Sequence, residues 1–260
     1  MGQETSSGSV GHIDVALLPN QKFNQARSVC ILVDVLRASS SIITLLERGC
    51  PSVVAAPTID RARHLRTGLP DHLLCGEERG LPPQGFDYGN SPSQFSRLDL
   101  SGRSAILATS NGTRVLAAIA AGSPVVLVGA LLNRTAVARA AIDIARGRGL
   151  GITVVCSAAH GGGTFVLEDA LGAGAITDAA LSHEPELEAT DTARFARDAF
   201  TVASADLAAA VRSAYHSQEL IDEGLGEDVA YCAQLDVSGV VPMLERGGDG
   251  LLRLQPYRPA

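Results

Sequence analysis

The sequence contains no tryptophan, and aromatic residues make up only 4% of its 260 residues. A hydrophobic core must therefore be built mostly from alanine, valine, leucine and isoleucine. Apolar residues amount to 46% of the chain and charged residues to 19%, a balance typical of globular rather than disordered proteins. The length suffices for one large domain or two small ones, each with a substantial core.

Positive charge is also scarce. The formal net charge is -7, and Lys22 is the single lysine. An acidic chain without a basic cluster is a poor partner for nucleic acid or an anionic membrane. No apolar run approaches the ~18 residues needed to span a bilayer. Any phosphate site must therefore be built locally, from an arginine, backbone N–H groups or a metal ion.

The cysteine pattern argues against both a disulfide framework and a zinc site. The five cysteines are an odd number, are scattered along the chain and include no C-x-x-C pair. We interpret them as buried, reduced thiols of a cytoplasmic protein. The N-terminus lacks the basic and apolar regions of a signal peptide, so residues 1–11 are expected to form a flexible tail.

Short apolar runs alternate with helical patterns along most of the chain. The runs suited to buried strands are 29–35, 52–56, 72–76, 104–109, 124–130 and 151–157. This alternation predicts an α/β fold, in which a largely parallel or mixed sheet is flanked by helices in three layers. Consecutive helical patterns over 190–224 predict a C-terminal helical segment. We expect residues 12–260 to form a single α/β domain, with two closely packed α/β lobes as the alternative.

Polar loops follow four of the predicted strands. "DVLR" (34–37) follows the first, "GEERG" (76–80) the third, "TSNGT" (109–113) the fourth, and "CSAAHGGGTFVLED" (156–169) the last. Ligands of α/β sheets bind beyond the carboxyl ends of the strands. The four loops are therefore expected to meet at one rim of the sheet.

The residue types in these loops suit a phosphate ester and a hard cation. Mg²⁺ takes oxygen ligands, usually one or two carboxylates together with phosphate and water. Arg37 and Arg79 are suited to two-point contacts with an oxyanion. Each feature also has a structural alternative: Asp34 and Arg37 as an ion pair, 111–113 as an ordinary turn, and 168–169 as acids that complement a helix dipole.

Several phosphate chemistries lack their motifs. There is no G-x-x-x-x-G-K-[ST] phosphate loop, no D-x-D-x-T motif and no G-x-G-x-x-G after the first predicted strand. Cys156 is followed by no arginine or lysine over residues 157–165, as a thiolate phosphatase would require. With these chemistries excluded, the sequence favours metal-assisted attack of water on phosphorus.

The motifs resemble those of a known family. "VDVLRASSSIITLLERG", "GEERG", "GFDYGNSP", "TSNGTRVL", "CSAAHGGGTFVLEDALGAGAI" and "LGEDVAYCAQLDVSGVVP" resemble, in order, the blocks of the 2-phosphosulfolactate phosphatase family, over about residues 12–245. The resemblance implies a Mg²⁺-dependent phosphatase whose namesake reaction converts (2R)-2-phospho-3-sulfolactate to sulfolactate in a coenzyme M route. It implies a small anionic phosphorylated substrate, and we take a homodimer as the candidate assembly.

The resemblance also assigns site residues. It implies the catalytic residues Asp34, Arg37, Glu78 and Arg79; the phosphate-binding residues Asn90, Ser91, Asn111 and Thr113; and the metal ligands Asp34, Asp87, Glu168 and Asp169. The loops themselves add Ser39, through its hydroxyl, and Gly112, through its backbone N–H, as phosphate-binding residues. The neighbouring Glu77 leaves open which glutamate is the family's acid, and His160 receives no role. A mutase acting on phosphorylated acids and a non-catalytic anion-binding protein remain as alternatives.

Overall fold

The computed structural model describes residues 11–259, apart from the side chain of His160. All but the last residue of the expected N-terminal tail therefore lies outside the described range. The strands are β1 His12–Ala16, β2 Ser28–Val33, β3 Val53–Ala56, β4 Leu73–Gly76, β5 Ala105–Ala108, β6 Val125–Gly129, β7 Gly151–Cys156, β8 Glu188–Ala189, β9 Pro242–Arg246 and β10 Leu252–Pro256.

All ten strands form one mixed sheet, in the order β4-β5-β3-β10-β9-β6-β2-β7-β1-β8. Two parallel sets, β4-β5-β3 and β6-β2-β7-β1-β8, are joined by the antiparallel hairpin of β9 and β10. The six runs predicted as buried strands correspond to β2 through β7, and the α/β fold with a largely parallel, mixed sheet is confirmed. β1 and the two-residue edge strand β8 were not predicted; β1 lies between β7 and β8, and its sequence HIDVA is not a continuous apolar run.

The three successive antiparallel pairings reverse the strand direction between the two sets. In a flat sheet, the carboxyl ends of β2 and β5 would therefore lie at opposite edges. The two ends nevertheless lie close together. A Cβ atom built on Gly112, just after β5, would lie 2.5 Å from Oδ2 of Asp34, just after β2. Adjacent strands rotate by about 20–25°, so the steps from β5 to β2 add roughly 100–125°. The twist of the sheet thus turns the two ends toward each other.

Helices cover both faces of the sheet. They are α1 Ala38–Glu47, α2 Ile59–Gly68, α3 Pro92–Phe95, α4 Gly112–Gly122, α5 Arg134–Arg148, α6 Leu167–His183, α7 Asp191–Ala203, α8 Leu207–Arg212, α9 Tyr215–Asp222 and α10 Gly226–Cys232. One large apolar core includes residues of α5, α6 and α7, and a second includes residues of α1 and α4. The helical segment predicted over 190–224 is confirmed as α7 to α9, and α10 follows it. Among the described helices, none has the length and apolarity needed to cross a bilayer.

Close packing of α6 against α7 depends on a glycine. A Cβ atom on Gly174 would collide with the carbonyl oxygen of Ala196 and lie 2.8 Å from Cβ of Phe200. The absence of a side chain lets the two helices approach closely. This packing anchors the helical segment that carries α9 over the end of the sheet.

Candidate active site

The carboxylate of Asp34 is buried at the turn between β2 and α1. Its Oδ1 accepts a hydrogen bond from the N–H of Ala38 at 3.0 Å, and its Oδ2 accepts one from Oγ of Ser157 at 2.9 Å. The backbone N–H of Asp34 donates to Oγ of Ser39 at 3.0 Å. Burial raises the pKa of Asp34, although the bonds from Ala38 and Ser157 lower it in part. The protein therefore holds this acid in one orientation in a poorly solvated place.

A second buried acid supports the loops after β2 and β7. Asp169, in the first turn of α6, accepts hydrogen bonds from the N–H of Val35 at 2.8 Å and of Ala158 at 3.1 Å. Oγ of Ser157 lies 3.2 Å from its Oδ2, within reach of both Asp34 and Asp169. Burial, followed by the charge of Asp34, raises the pKa of Asp169 well above its ordinary value. The contacts of Asp169 make it a brace for both loops.

Glu168 and His216 link α6 to the helical segment. Nδ1 of His216, on α9, lies 2.9 Å from Oε1 of Glu168, whose side chain is 1% exposed. Burial acts to lower the pKa of His216, but the hydrogen bond and charge of Glu168, together with Asp34, outweigh it and leave the pKa raised. The protonated form of the ring is therefore more favoured than in a free imidazole, and its Nε2 is the nitrogen that Glu168 does not contact.

The loop after β4 brings Glu77, rather than Glu78, to the site. Glu77 is buried, and its carboxylate accepts hydrogen bonds from the N–H of Ser110 at 2.6 Å and of Gly80 at 3.0 Å. It thereby ties the loop after β4 to the loop after β5. The side chain of Glu78 is exposed, and its backbone pairs with that of Leu81 in a tight turn. Of the two glutamates, Glu77 therefore faces inward and Glu78 faces outward.

Arg37 is an ion-pair partner, but not of Asp34. Its Nη1 lies 2.9 Å from Oδ2 of Asp228 on α10, and its Nη2 donates to the carbonyl oxygen of Gly80 at 2.8 Å. Both charged side chains are nearly inaccessible to water. Asp228 also accepts hydrogen bonds from the hydroxyls of Ser91, at 2.7 Å, and Ser93, at 2.6 Å. This network fixes α3 and α10 against the loop after β2.

The buried pair predicts a large effect on stability. Replacing Asp228 with asparagine keeps its shape but leaves the guanidinium of Arg37 without its counter-charge. Breaking a buried ion pair from one side costs about 3–5 kcal/mol. We therefore expect the melting temperature of Asp228→Asn to fall by roughly 6–20 °C, as measured by circular dichroism.

The neighbouring residue supplies a matched control. Glu227, on the same helix, pairs with Arg97 at 2.8 Å, and both side chains are mostly exposed. Exposed pairs contribute less than about 1 kcal/mol, so Glu227→Gln should melt within a few degrees of the native protein. Equal melting temperatures for the two variants would show that the Arg37–Asp228 pair does not stabilise the fold.

The four polar loops meet around one cavity of about 710 Å³. Residues from each loop line it, together with residues of α9. The lining residues expected from the sequence are Asp34, Arg37, Arg79, Asn90 and Asn111. Those that sequence reasoning assigned no role, or left open, include Glu77, Ser110, Arg114, His216, Glu219, Asp222 and Glu223. The cavity lies where the carboxyl ends of the two sets of parallel strands approach each other.

The other predicted site residues do not line this cavity. These are Glu78, Ser39, Ser91, Gly112, Thr113, Asp87, Glu168 and Asp169. Oγ1 of Thr113 is occupied within its own loop, where it bonds the backbone of Thr109. Asp87 is exposed, and its carboxylate accepts a hydrogen bond from Leu74 N–H and pairs with Arg66 at 2.9 Å. The placement of Asp87 as a metal ligand at this cavity is therefore corrected, because its side chain faces α2.

His216 and Asp228 were missed because their partners are distant in sequence. His216 is 48 residues from Glu168, and Asp228 is 191 residues from Arg37. The segment over 190–224 was read as a covering layer of helices, with no signal that α9 contributes a side chain to the site. The only local hint was the acid of "LGEDVAYC", which the family resemblance included without assigning it a role.

Comparison with known proteins gives a consistent answer. A sequence model described as 2-phosphosulpholactate phosphatase matches residues 15–247. The probable 2-phosphosulfolactate phosphatase of Deinococcus radiodurans is 36% identical over 235 residues, covering 90% of this chain and 94% of the relative. That of Pseudothermotoga lettingae is 35% identical over 232 residues, covering 89% and 95%. That of Clostridium acetobutylicum is 31% identical over 218 residues, covering 84% and 89%.

These matches place the chain among the phosphoric monoester hydrolases, the enzyme class that its motifs predicted. It belongs to the 2-phosphosulfolactate phosphatase family, and the resemblance drawn from its motifs is confirmed.

Proposed function

We propose that this protein hydrolyses 2-phospho-3-sulfolactate to 3-sulfolactate and phosphate, in a Mg²⁺-dependent reaction of the cytoplasm. The observation that carries the proposal is the polar cavity at the strand ends, in a chain of this family. Its volume of about 710 Å³ suits a small molecule. Five free, buried cysteines support a reducing compartment. A role in a coenzyme M route follows only if the substrate is the one proposed.

The charges that line the cavity support a divalent cation. Among the side chains that the structure describes, five acids line the cavity together with three arginines and one histidine. The acids are Asp34, Glu77, Glu219, Asp222 and Glu223. A substrate that carries phosphate, carboxylate and sulfonate groups would be repelled by such a lining unless a cation offset the charge. Oδ1 of Asn90, in a residue that lines the same cavity, is buried and accepts no hydrogen bond from the described residues. An oxygen of this kind is suited to a hard cation.

Asp34 and Glu77 are the carboxylates best placed to hold the ion, with Asn90 as a neutral oxygen donor. Within the described residues, no group of three or more His, Cys, Asp or Glu side chains forms a ready-made cage. Mg²⁺ does not need one, because it is usually bound by one or two carboxylates and completes its shell with phosphate oxygens and water. When bound, the ion would supply charge neutralisation and orientation of the phosphate.

The leaving group sets a second chemical requirement. As water bonds to phosphorus and the bond to the bridging oxygen breaks, that oxygen departs from a loose transition state bearing much of the negative charge. The alkoxide of a 2-hydroxy acid is a poor leaving group unless it is protonated. His216 lines the cavity with Nδ1 held by Glu168, so Nε2–H is the proton donor that we assign. The proton released by the attacking water returns to the imidazole through solvent.

Metal removal provides the direct test. We expect EDTA to lower the rate of phosphate release from 2-phospho-3-sulfolactate by at least ~10²-fold. Without the cation, the acidic side chains of the cavity repel the anionic substrate. Added Mg²⁺ should restore activity, whereas added Na⁺ at equal ionic strength should not. Full turnover in metal-free buffer would contradict the requirement for a cation. Conversion to an isomeric phosphate ester without phosphate release would favour a mutase.

A further inference from the structure

Three arginines line the cavity, but the guanidinium of one of them already binds other groups of the protein. Both ends of the Arg37 fork are occupied, by Asp228 and by the carbonyl of Gly80, and the side chain is buried. Arg79 and Arg114 are exposed, and neither forms an ion pair within the part of the chain that the structure describes. The cavity therefore has two arginines whose guanidinium groups are open to an anionic ligand.

The backbone at Arg79 is anchored on both sides. Glu77 binds the loop to Ser110, and the carbonyl of Gly80 accepts the bond from Arg37. Arg79 itself has a φ of 53°, in the left-handed region that non-glycine residues seldom adopt. The loop thus projects this side chain from a fixed point.

Arg114 also projects from a fixed base. It lies in the first turn of α4, where its backbone N–H donates to the carbonyl oxygen of Asn111 at 3.0 Å. Its Nε donates to the carbonyl oxygen of Pro57 at 3.3 Å, which leaves the two Nη atoms for a ligand. The base of the side chain is positioned by the protein, while its charged end borders the cavity.

A gradient of burial separates the arginines from the reacting phosphate. Asp34 and Asn90 are 5% and 3% exposed and lie deep in the cavity, whereas Arg79 and Arg114 are at its exposed side. The phosphate to be removed belongs beside the buried oxygens that would hold the cation. The other anionic groups of the substrate then extend toward the exposed side, where Glu219, Asp222 and Glu223 would repel them without a compensating charge.

We propose that Arg79 and Arg114 are specificity-determining residues that bind the anionic groups of the substrate other than the phosphate being removed. The inference rests on the proposed function. Carboxylates and sulfonates present paired oxygens to which the planar guanidinium can donate two parallel hydrogen bonds. Two available arginines match the two non-reacting anionic groups of a phosphosulfo acid. They also distinguish such a substrate from a simple phosphate ester.

Three substrates test this assignment in Arg79→Asn and Arg114→Gln. Asparagine is chosen at 79 because it tolerates a positive φ. The substrates are 2-phospho-3-sulfolactate, 2-phospholactate, which lacks the sulfonate, and propan-2-yl phosphate, which lacks both extra anions. We expect each variant to lose about 10- to 100-fold in kcat/KM on 2-phospho-3-sulfolactate, mainly through KM, and less than about 3-fold on propan-2-yl phosphate. An arginine that binds the carboxylate should also matter for 2-phospholactate, whereas an arginine that binds the sulfonate should matter only for 2-phospho-3-sulfolactate.

Two further variants sharpen the result. Arg61→Gln, in the first turn of α2 and outside the cavity, should leave all three substrates unaffected. Arg114→Lys keeps the charge but not the planar fork, so it should recover only part of the lost activity. Equal losses on all three substrates, or no loss on any, would overturn the assignment. Failure of the proposed function has a different signature, since the native enzyme would then release phosphate from none of the three.

Discussion

Replacing Asp34 with asparagine should remove nearly all phosphatase activity while the protein stays folded. The carboxylate lines the cavity and is held by Ala38 N–H and Ser157 Oγ, so an isosteric amide keeps the shape of the turn. The substitution removes the charge that we assign to the cation. We expect kcat/KM for phosphate release to fall at least ~10²-fold, which corresponds to about 3 kcal/mol or more of transition-state stabilisation.

Cys156 supplies the matched control for this experiment. It is the last residue of β7 and directly precedes Ser157. Its side chain is buried and does not line the cavity. Burial, reinforced by the charges of Asp169 and Glu168, raises the pKa of its thiol well above the ordinary value, so it is a poor nucleophile. Cys156→Ser should retain most activity, with circular dichroism confirming the fold of both variants. An inactive serine variant beside an active asparagine variant would favour a cysteinyl-phosphate intermediate.

Replacing His216 with asparagine should produce a loss that depends on the leaving group. Without a proton donor, hydrolysis of 2-phospho-3-sulfolactate should slow by about 10²–10⁴-fold, the usual contribution of general acid catalysis. p-Nitrophenyl phosphate releases a stable phenolate that needs no proton, so its hydrolysis should change by less than about 10-fold. The ratio of the two rates, measured by steady-state phosphate release, is the quantity that reports proton donation.

Two variants separate proton donation from a structural role of His216. Glu168→Gln removes the charge that favours the protonated ring, and it should give a smaller loss with the same dependence on leaving group. His183→Asn, at the exposed end of α6, should behave as the native enzyme on both substrates. If His216→Asn slows both substrates equally, the histidine positions α9 and donates no proton.

The sequence predicted the parts of the site that depend on strand ends. Asp34, Arg79 and Asn111 follow buried apolar runs, where ligands of α/β sheets bind. The sequence did not show that β2 runs opposite to β4 and β5, so that the twist of the sheet is what brings these ends together. The same reasoning places Glu77 and Glu78 in one loop, yet it does not determine which carboxylate faces inward. That choice depends on the tight turn between Glu78 and Leu81, which directs the two side chains differently.

Contacts across long sequence separations were beyond the reach of local patterns. Arg37 was identified as a charged residue with a structural or catalytic role, but its partner lies on α10. Asp87 stands in a motif typical of the family, and its side chain nevertheless turns to Arg66 on α2. Periodicity and strand order carry no information on such pairings, because they are decided by how separate helices dock against the sheet.

The central hairpin has a consequence for how the chain is made. Strands β9 and β10 follow all the other described strands in sequence, yet they lie in the middle of the sheet, between β3 and β6. Without residues 242–256, the edges of β3 and β6 that the hairpin covers have no partner strand. Unpaired edges of this kind readily accept strands from other chains. The hairpin joins the two halves, so a chain truncated before residue 242 loses the centre of its sheet rather than its periphery.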